Sequence, residues 1–143
     1  MSDRKLAVEA WESLFRAQHE LFVEMSADFE GAGLSAAEYD VLLTVTRCPG
    51  KTVRLRELTA RMLISQPSVS RLVDRMVGRG LVTKEIDPQD GRGALIRATE
   101  EGSRAFHRIA LVHARTIASK MSALTPEEQR TLRDLTAKLR GDR

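Results

Sequence analysis

Cysteine is almost absent from this chain. Cys48 stands alone among 143 residues, which excludes an internal disulfide framework. Histidine is nearly as scarce, and His19, His107 and His113 show no ligand spacing. Partners on one helix face lie three or four residues apart, whereas His107 and His113 are six apart. His113, on an apolar face, reads as a core or interface histidine rather than a zinc ligand. No apolar run approaches the ~18 residues that a membrane helix needs. The charged start Met1-Ser2-Asp3-Arg4-Lys5 is followed by no apolar signal core. The expectation is a cytoplasmic protein with no membrane partner. Also missing are a glycine-rich phosphate loop, a Gly-x-Ser-x-Gly elbow and a metal constellation. No catalytic residue, metal site or cofactor is therefore expected, and the chain does not read as an enzyme.

The apolar fraction of 42% is enough for a core, and the length fits one domain over 1–143. The net charge of +3 hides an asymmetry. Residues 47–97 hold eleven Lys/Arg against five Asp/Glu, whereas residues 1–46 hold three against nine. The basic excess therefore sits mid-chain, where a polyanion would dock; taken alone, it is as well explained by a solvated charged surface.

Periodicity predicts a mainly α chain with a small β-wing. Trp11, Leu14, Phe15, Gln18, Leu21, Phe22, Met25 and Phe29 recur at spacings of three and four, giving a long helix over 6–30 that Gly31 and Gly33 stop. Ser35 and Glu38 have capping-box spacing for a helix to about Arg47 that buries Val41, Leu42 and Val45. Thr52–Arg54 reads as a short strand and Leu55–Leu63 as the next helix. Val69, Leu72, Val73, Met76 and Val77 form one apolar stripe, with Ser68, Arg71, Asp74 and Arg75 on the opposite side. Ser65 is the expected N-cap of that helix, Pro67 sits in its first turn, and Gly78 and Gly80, flanking Arg79, end it. Two short strands, Leu81–Glu85 and Ala94–Arg97, flank the polar turn Asp87–Gly93. Thr99 caps a fifth helix. Leu124-Thr125-Pro126-Glu127-Glu128 opens a sixth, on which Leu132, Leu135 and Leu139 are apolar.

A helix-turn-helix whose second helix is basic outward, followed by strand, charged turn and strand, describes a winged helix. At these residues the chain resembles the multiple antibiotic resistance regulator (MarR) family of winged-helix transcription factors. The resemblance is carried by Ser65-Gln66-Pro67-Ser68-Val69-Ser70-Arg71-Leu72-Val73-Asp74-Arg75-Met76, then Arg79-Gly80-Leu81-Val82, Asp87-Pro88, Asp90-x-Arg92 and Thr99-x-x-Gly102. It implies a winged helix-turn-helix DNA-binding lobe over 35–99 and dimerisation helices over 6–30 and 100–140. It also implies a homodimer on double-stranded DNA, a repressor released from a pseudo-palindromic operator by a small ligand. The alternative from a different class is a winged-helix protein-interaction module without specific DNA binding. The sequence departs from the family at Gly91 and Gly93, where Arg and Ala are frequent, and at Ala98, where Leu is usual.

The candidate DNA-binding residues are Ser65, Gln66, Pro67, Ser68, Ser70, Arg71, Arg75, Asp90, Arg92 and Arg54. Gln suits an adenine edge and Arg a guanine edge. Asp74 is expected to orient Arg71 or Arg75, or to accept from a cytosine amine. Read alone, Arg92 in a glycine-rich turn is a solvated loop tip. The resemblance implies that it enters the minor groove with Asp90 bracing it, where arginine suits the enhanced negative potential. Arg54, Arg56 and Lys51 stand between phosphate contact and plain solvation. For a small aromatic or anionic effector, Arg16 and His19 are the polar candidates, set against ordinary packing of dimer helices. Cys48, beside Arg47, reads as a small residue next to a turn.

Overall fold

The computed structural model describes residues 2–63 and 68–141. Helix α1 spans Ser2–Met25 and passes into a 3-10 turn, Ser26–Asp28. Helix α2 spans Ala36–Thr46, strand β1 Thr52–Arg54, helix α3 Leu55–Arg61 and helix α4 Val69–Gly78. Strands β2 (Val82–Asp87) and β3 (Asp90–Ala98) precede α5 (Glu100–Met121) and α6 (Pro126–Leu139). The architecture is mainly α with a small β-wing, as the sequence predicts. The chain divides into two compact units, residues 26–111 and residues 1–25 with 112–143.

The unit 26–111 holds the core. Val41, Leu42 and Val45 of α2, Leu58 of α3, Val73 and Met76 of α4, Val82 of β2 and Ile96 of β3 are fully or almost fully buried. Each such side chain contributes about 1.5–3 kcal/mol by leaving water. Ala105, Phe106 and Ile109 of α5 close this core. Tyr39 stacks on Phe106 and meets Phe29, with ring centroids 5.1 Å apart in both cases. The sheet is antiparallel in the order β1-β3-β2, pairing Val53 with Ile96 and Lys84 with Ile96 from the other side.

Local chemistry sets the helix ends. At α2, the Ser35 hydroxyl accepts from the Glu38 N–H and the Glu38 carboxylate accepts from the Ser35 N–H. Thr125 and Glu128 repeat this box at α6. At the exit of α4, Leu81 N–H donates to the Met76 carbonyl and Gly80 N–H to the Val77 carbonyl. This paired closure requires a left-handed residue, and Gly80 has φ +76°.

Several boundaries differ from expectation. The first helix ends at Met25, five residues early, because a 3-10 turn takes over. Helix α4 begins at Val69 under Ser68, whose hydroxyl accepts from the Arg71 N–H at 3.2 Å. The expected cap, Ser65, lies with Gln66 and Pro67 outside the described residues. Both serines suit a cap, and Ser68 is the one adjacent to the first buried residue, Val69. Val77 is 39% exposed rather than buried. It lies about 80° round the helix from Val69, at the edge of the stripe. The wing strands run longer than predicted, leaving only Pro88-Gln89 between them.

Helix α1, the C-terminal part of α5 and α6 make the other unit. Lys120 of α5 pairs with Glu24 of α1 at 2.6 Å. No residue over 3–25 or 112–141 is buried. Leu6, Trp11 and Phe15 of α1 and Leu135 and Leu139 of α6 are all more than half exposed. Among the described residues, no helix is long and apolar enough to cross a membrane.

Candidate nucleic-acid interface

The burial of Val69, Leu72, Val73 and Met76 fixes the rotation of α4 and leaves Ser70, Arg71, Asp74 and Arg75 exposed. The Ser68 hydroxyl accepts the capping bond at the helix entry, and its O–H remains a donor. Asp74 does not orient Arg71 or Arg75, as the sequence suggested. Its carboxylate takes Lys84 Nζ of β2 at 3.0 Å. Strand β2 follows α4 directly through the Gly80 turn, which brings residues ten apart together.

The wing turn is organised by two aspartates. Asp87 Oδ1 accepts from the Gln89 N–H at 2.9 Å, and its Oδ2 accepts from Arg54 Nε at 2.8 Å. Arg54 Nη2 donates to Gln89 Oε1 at 2.7 Å, and Nη1 stands 3.9 Å from Glu57 Oε1. The Asp87 carboxyl is held below the usual carboxylate range, first by the Gln89 N–H and then by the Arg54 guanidinium, against some desolvation. Beyond it the pairing breaks register. Ile86 faces Ala94, but Asp87 faces Asp90, so Gly91, Arg92 and Gly93 form an excursion on β3. Asp90 Oδ1 accepts from the Arg92 backbone N–H at 3.1 Å. Asp90 thus shapes the turn that carries Arg92 and makes no bond with its guanidinium.

Between the wing and α3 lies an open groove of about 540 Å³, lined by Arg54, Arg56, Lys84 and Arg92 with Asp87 and Asp90. The cations of α3, α4 and the wing differ in their partners. Arg54, Lys84 and Arg79 have carboxylate partners; Arg79 reaches Glu38 at 2.5 Å and also the Gly33 carbonyl. Arg56, Arg71, Arg75 and Arg92 are exposed, and among the described residues none has an acidic partner. An anion reaching α3, α4 and the wing meets these arginines. The sequence singled out Arg71, Arg75 and Arg92 among its candidates and left Arg56 undecided. It had no sign that Arg54 would be engaged.

The effector candidates lie in the other unit. Arg16 and His19 are exposed on α1 beside Trp11 and Phe15, around a shallow hollow of about 330 Å³ that Glu12 and Glu20 also line. The Trp11 and Phe15 rings are 5.9 Å apart. In the lobe, the half-buried Cys48 thiol donates to the Thr44 carbonyl and accepts from Arg61 Nη1, each at 3.2 Å. No group of three or more potential metal ligands occurs among the described residues.

Known proteins share this fold. Residues 32–93 match the model of the MarR family. The chain is 31% identical over 127 residues to the HTH-type transcriptional regulator YkoM of Bacillus subtilis, covering 85% of this chain and 80% of that one. Among solved structures it resembles Sco3205 of Streptomyces coelicolor, a MarR family transcriptional regulator determined in complex with DNA. That likeness has 26% identity and a TM-score of 0.80, covering 91% of this chain and 83% of that one. The PcaV transcriptional regulator of the same organism, determined with its natural ligand, is 28% identical, with a TM-score of 0.70 and coverage of 92% and 89%. The family match, the identity with YkoM and the shared fold agree: the chain belongs to the MarR family of transcriptional regulators, DNA-binding proteins and not enzymes.

Proposed function

We propose that the chain is a homodimeric, sequence-specific repressor that reads a pseudo-palindromic operator. The observation that carries this reading is that Arg56, Arg71, Arg75 and Arg92, exposed on α3, α4 and the wing, have no acidic partner among the described residues. Helix α4 enters a major groove, where Arg71 meets a guanine edge and Ser70 and Arg75 bases or phosphates. Arg92 enters the adjacent minor groove. Arg56 neutralises a phosphate, which fixes register without specifying sequence. Gln66, Ser65 and Pro67, outside the described residues, keep their place as candidates on the strength of the motif.

The regions 6–30 and 100–140 serve as dimerisation helices and 35–99 as the DNA-binding lobe. Supporting this is the lack of any buried residue over 3–25 or 112–141, alongside exposed Trp11, Phe15, Leu135 and Leu139. Apolar stripes of this size are covered in a working protein, and a second copy supplies the same stripes by symmetry. Each protomer then reads one half-site, with centres about one helical turn or a multiple apart. A small aromatic or anionic ligand near Arg16 and His19 releases the DNA by binding the non-DNA geometry more tightly. PcaV, seen with its natural ligand, supports a ligand role. The place of action is the cytoplasm.

The test is selection of random duplexes by the purified protein at two salt concentrations. Recovery of an inverted repeat at helical-turn spacing, with steeply salt-dependent affinity, supports an operator reader. Weak, salt-insensitive binding without a motif overturns it and points to a protein partner for the winged helix.

A further inference from the structure

The wing is tied to the helix-turn-helix frame through one guanidinium. Arg54 closes β1 and stands at the N-cap of α3. Two of its nitrogens are hydrogen-bonded into the wing turn, 33 and 35 residues away, through Nε to Asp87 and Nη2 to Gln89. Asp87 is 2% exposed, and its other oxygen holds the Gln89 N–H. Asp87 also pairs with Asp90 to close the three-residue excursion, and Asp90 in turn holds the Arg92 N–H. A continuous path thus runs from the α3 cap through Arg54, Asp87 and Asp90 to the backbone of Arg92. Arg56, two residues further on, has no carboxylate partner.

We propose that Arg54 is a positioning residue for DNA binding: it clamps Asp87 and Gln89 so that the wing holds Arg92 at a fixed place relative to α3. This rests on the reading of the lobe as a duplex reader. A phosphate at Arg54 would have to displace a charge-assisted bond to a buried carboxylate. Arginine serves the clamp because its planar fork reaches two acceptors at once, which a lysine ammonium cannot do in the same geometry.

The test is a double-mutant cycle on the duplex selected by the wild-type protein, read as binding affinity across a salt series. Arg54→Gln in the wild-type background should weaken binding within about threefold of the Arg92→Ala loss. In the Arg92→Ala background it should weaken binding by less than about twofold, because groups acting through one another are non-additive. Arg54→Lys should fail to restore affinity. The result that overturns the proposal is equal loss in both backgrounds, with recovery by lysine and a salt slope reduced by about one, the pattern of a direct phosphate contact. Thermal unfolding of Arg54→Gln verifies that the fold is kept. If the wild type selects no duplex, the duplex-reader reading fails. Amide hydrogen exchange at Gln89 and Arg92 then decides the clamp: faster exchange in Arg54→Gln supports it, and unchanged exchange overturns it.

Discussion

The backbone carbonyl of Leu81 stands where a side chain at position 102 would begin. A Cβ on Gly102 would lie 2.0 Å from that oxygen and 3.3 Å from Leu42 Cδ2. Thr99 sets up the contact. Its hydroxyl donates toward the carbonyls of Gly80 and Leu81 and accepts from the Gly102 N–H, at 2.6, 3.0 and 2.9 Å. The first turn of α5 is thereby pressed against the exit of α4.

Gly102→Ala should therefore destabilise the protein by on the order of 3 kcal/mol, at the upper end of overpacking costs because the clashing atom is backbone. Denaturant unfolding gives the number. A loss below about 0.5 kcal/mol would mean that α5 shifts freely, and the close approach would then have no role in holding α4.

Arg79 joins the end of α4 to the start of α2 through Glu38, whose side chain is 11% exposed and also completes the capping box. Glu38→Ala removes both bonds and should cost about 2 kcal/mol. Arg79→Ala removes one half-exposed partner and should cost about 1 kcal/mol once screening is allowed for. Equilibrium unfolding of the two variants measures the difference. Equal costs would mean that the cap contributes nothing beyond the ion pair.

The Asp87 carboxyl titrates below its ordinary value because the Gln89 N–H and Arg54 favour the charged form. A depressed carboxylate contributes stability above its unfolded value of about 3.9, and that contribution is lost as pH falls through the lower folded value. The wing should hold at neutral pH and loosen below about pH 4, in the range set by those two values. NMR titration of the Gln89 and Arg92 amides follows it. Asp87→Asn should remove the acid transition from those two signals. A transition that survives the substitution assigns it to another group.

On the selected operator, Arg71→Ala should cost about 1–3 kcal/mol and relax preference at one position per half-site. Equal losses on specific and random duplexes would reassign Arg71 to a phosphate. Arg92→Ala should weaken binding most on A·T-rich flanks, where the minor groove is narrow. Affinity that falls equally on flanks of every composition would exclude that placement.

The sequence by itself determined what depends on near neighbours. Two capping boxes, the left-handed exit at Gly80 and the stripe Val69–Met76 are legible because each partner lies within a few residues, where helix geometry leaves few alternatives. The order of elements follows from them, and so does the resemblance to the MarR family. Boundaries were lost where two local signals competed, as between Ser65 and Ser68. Only the tertiary structure decided which charges are engaged. Lys84 with Asp74, Arg54 with Asp87 and Arg79 with Glu38 span 10, 33 and 41 residues. No spacing rule anticipates such pairs, because the fold alone sets the distance between side chains on different elements. The same holds for Gly102, which the motif contains but whose reason is the carbonyl of Leu81. Eleven cations over 47–97 were countable in the chain; which of them are left without a carboxylate follows from how the helices and strands pack.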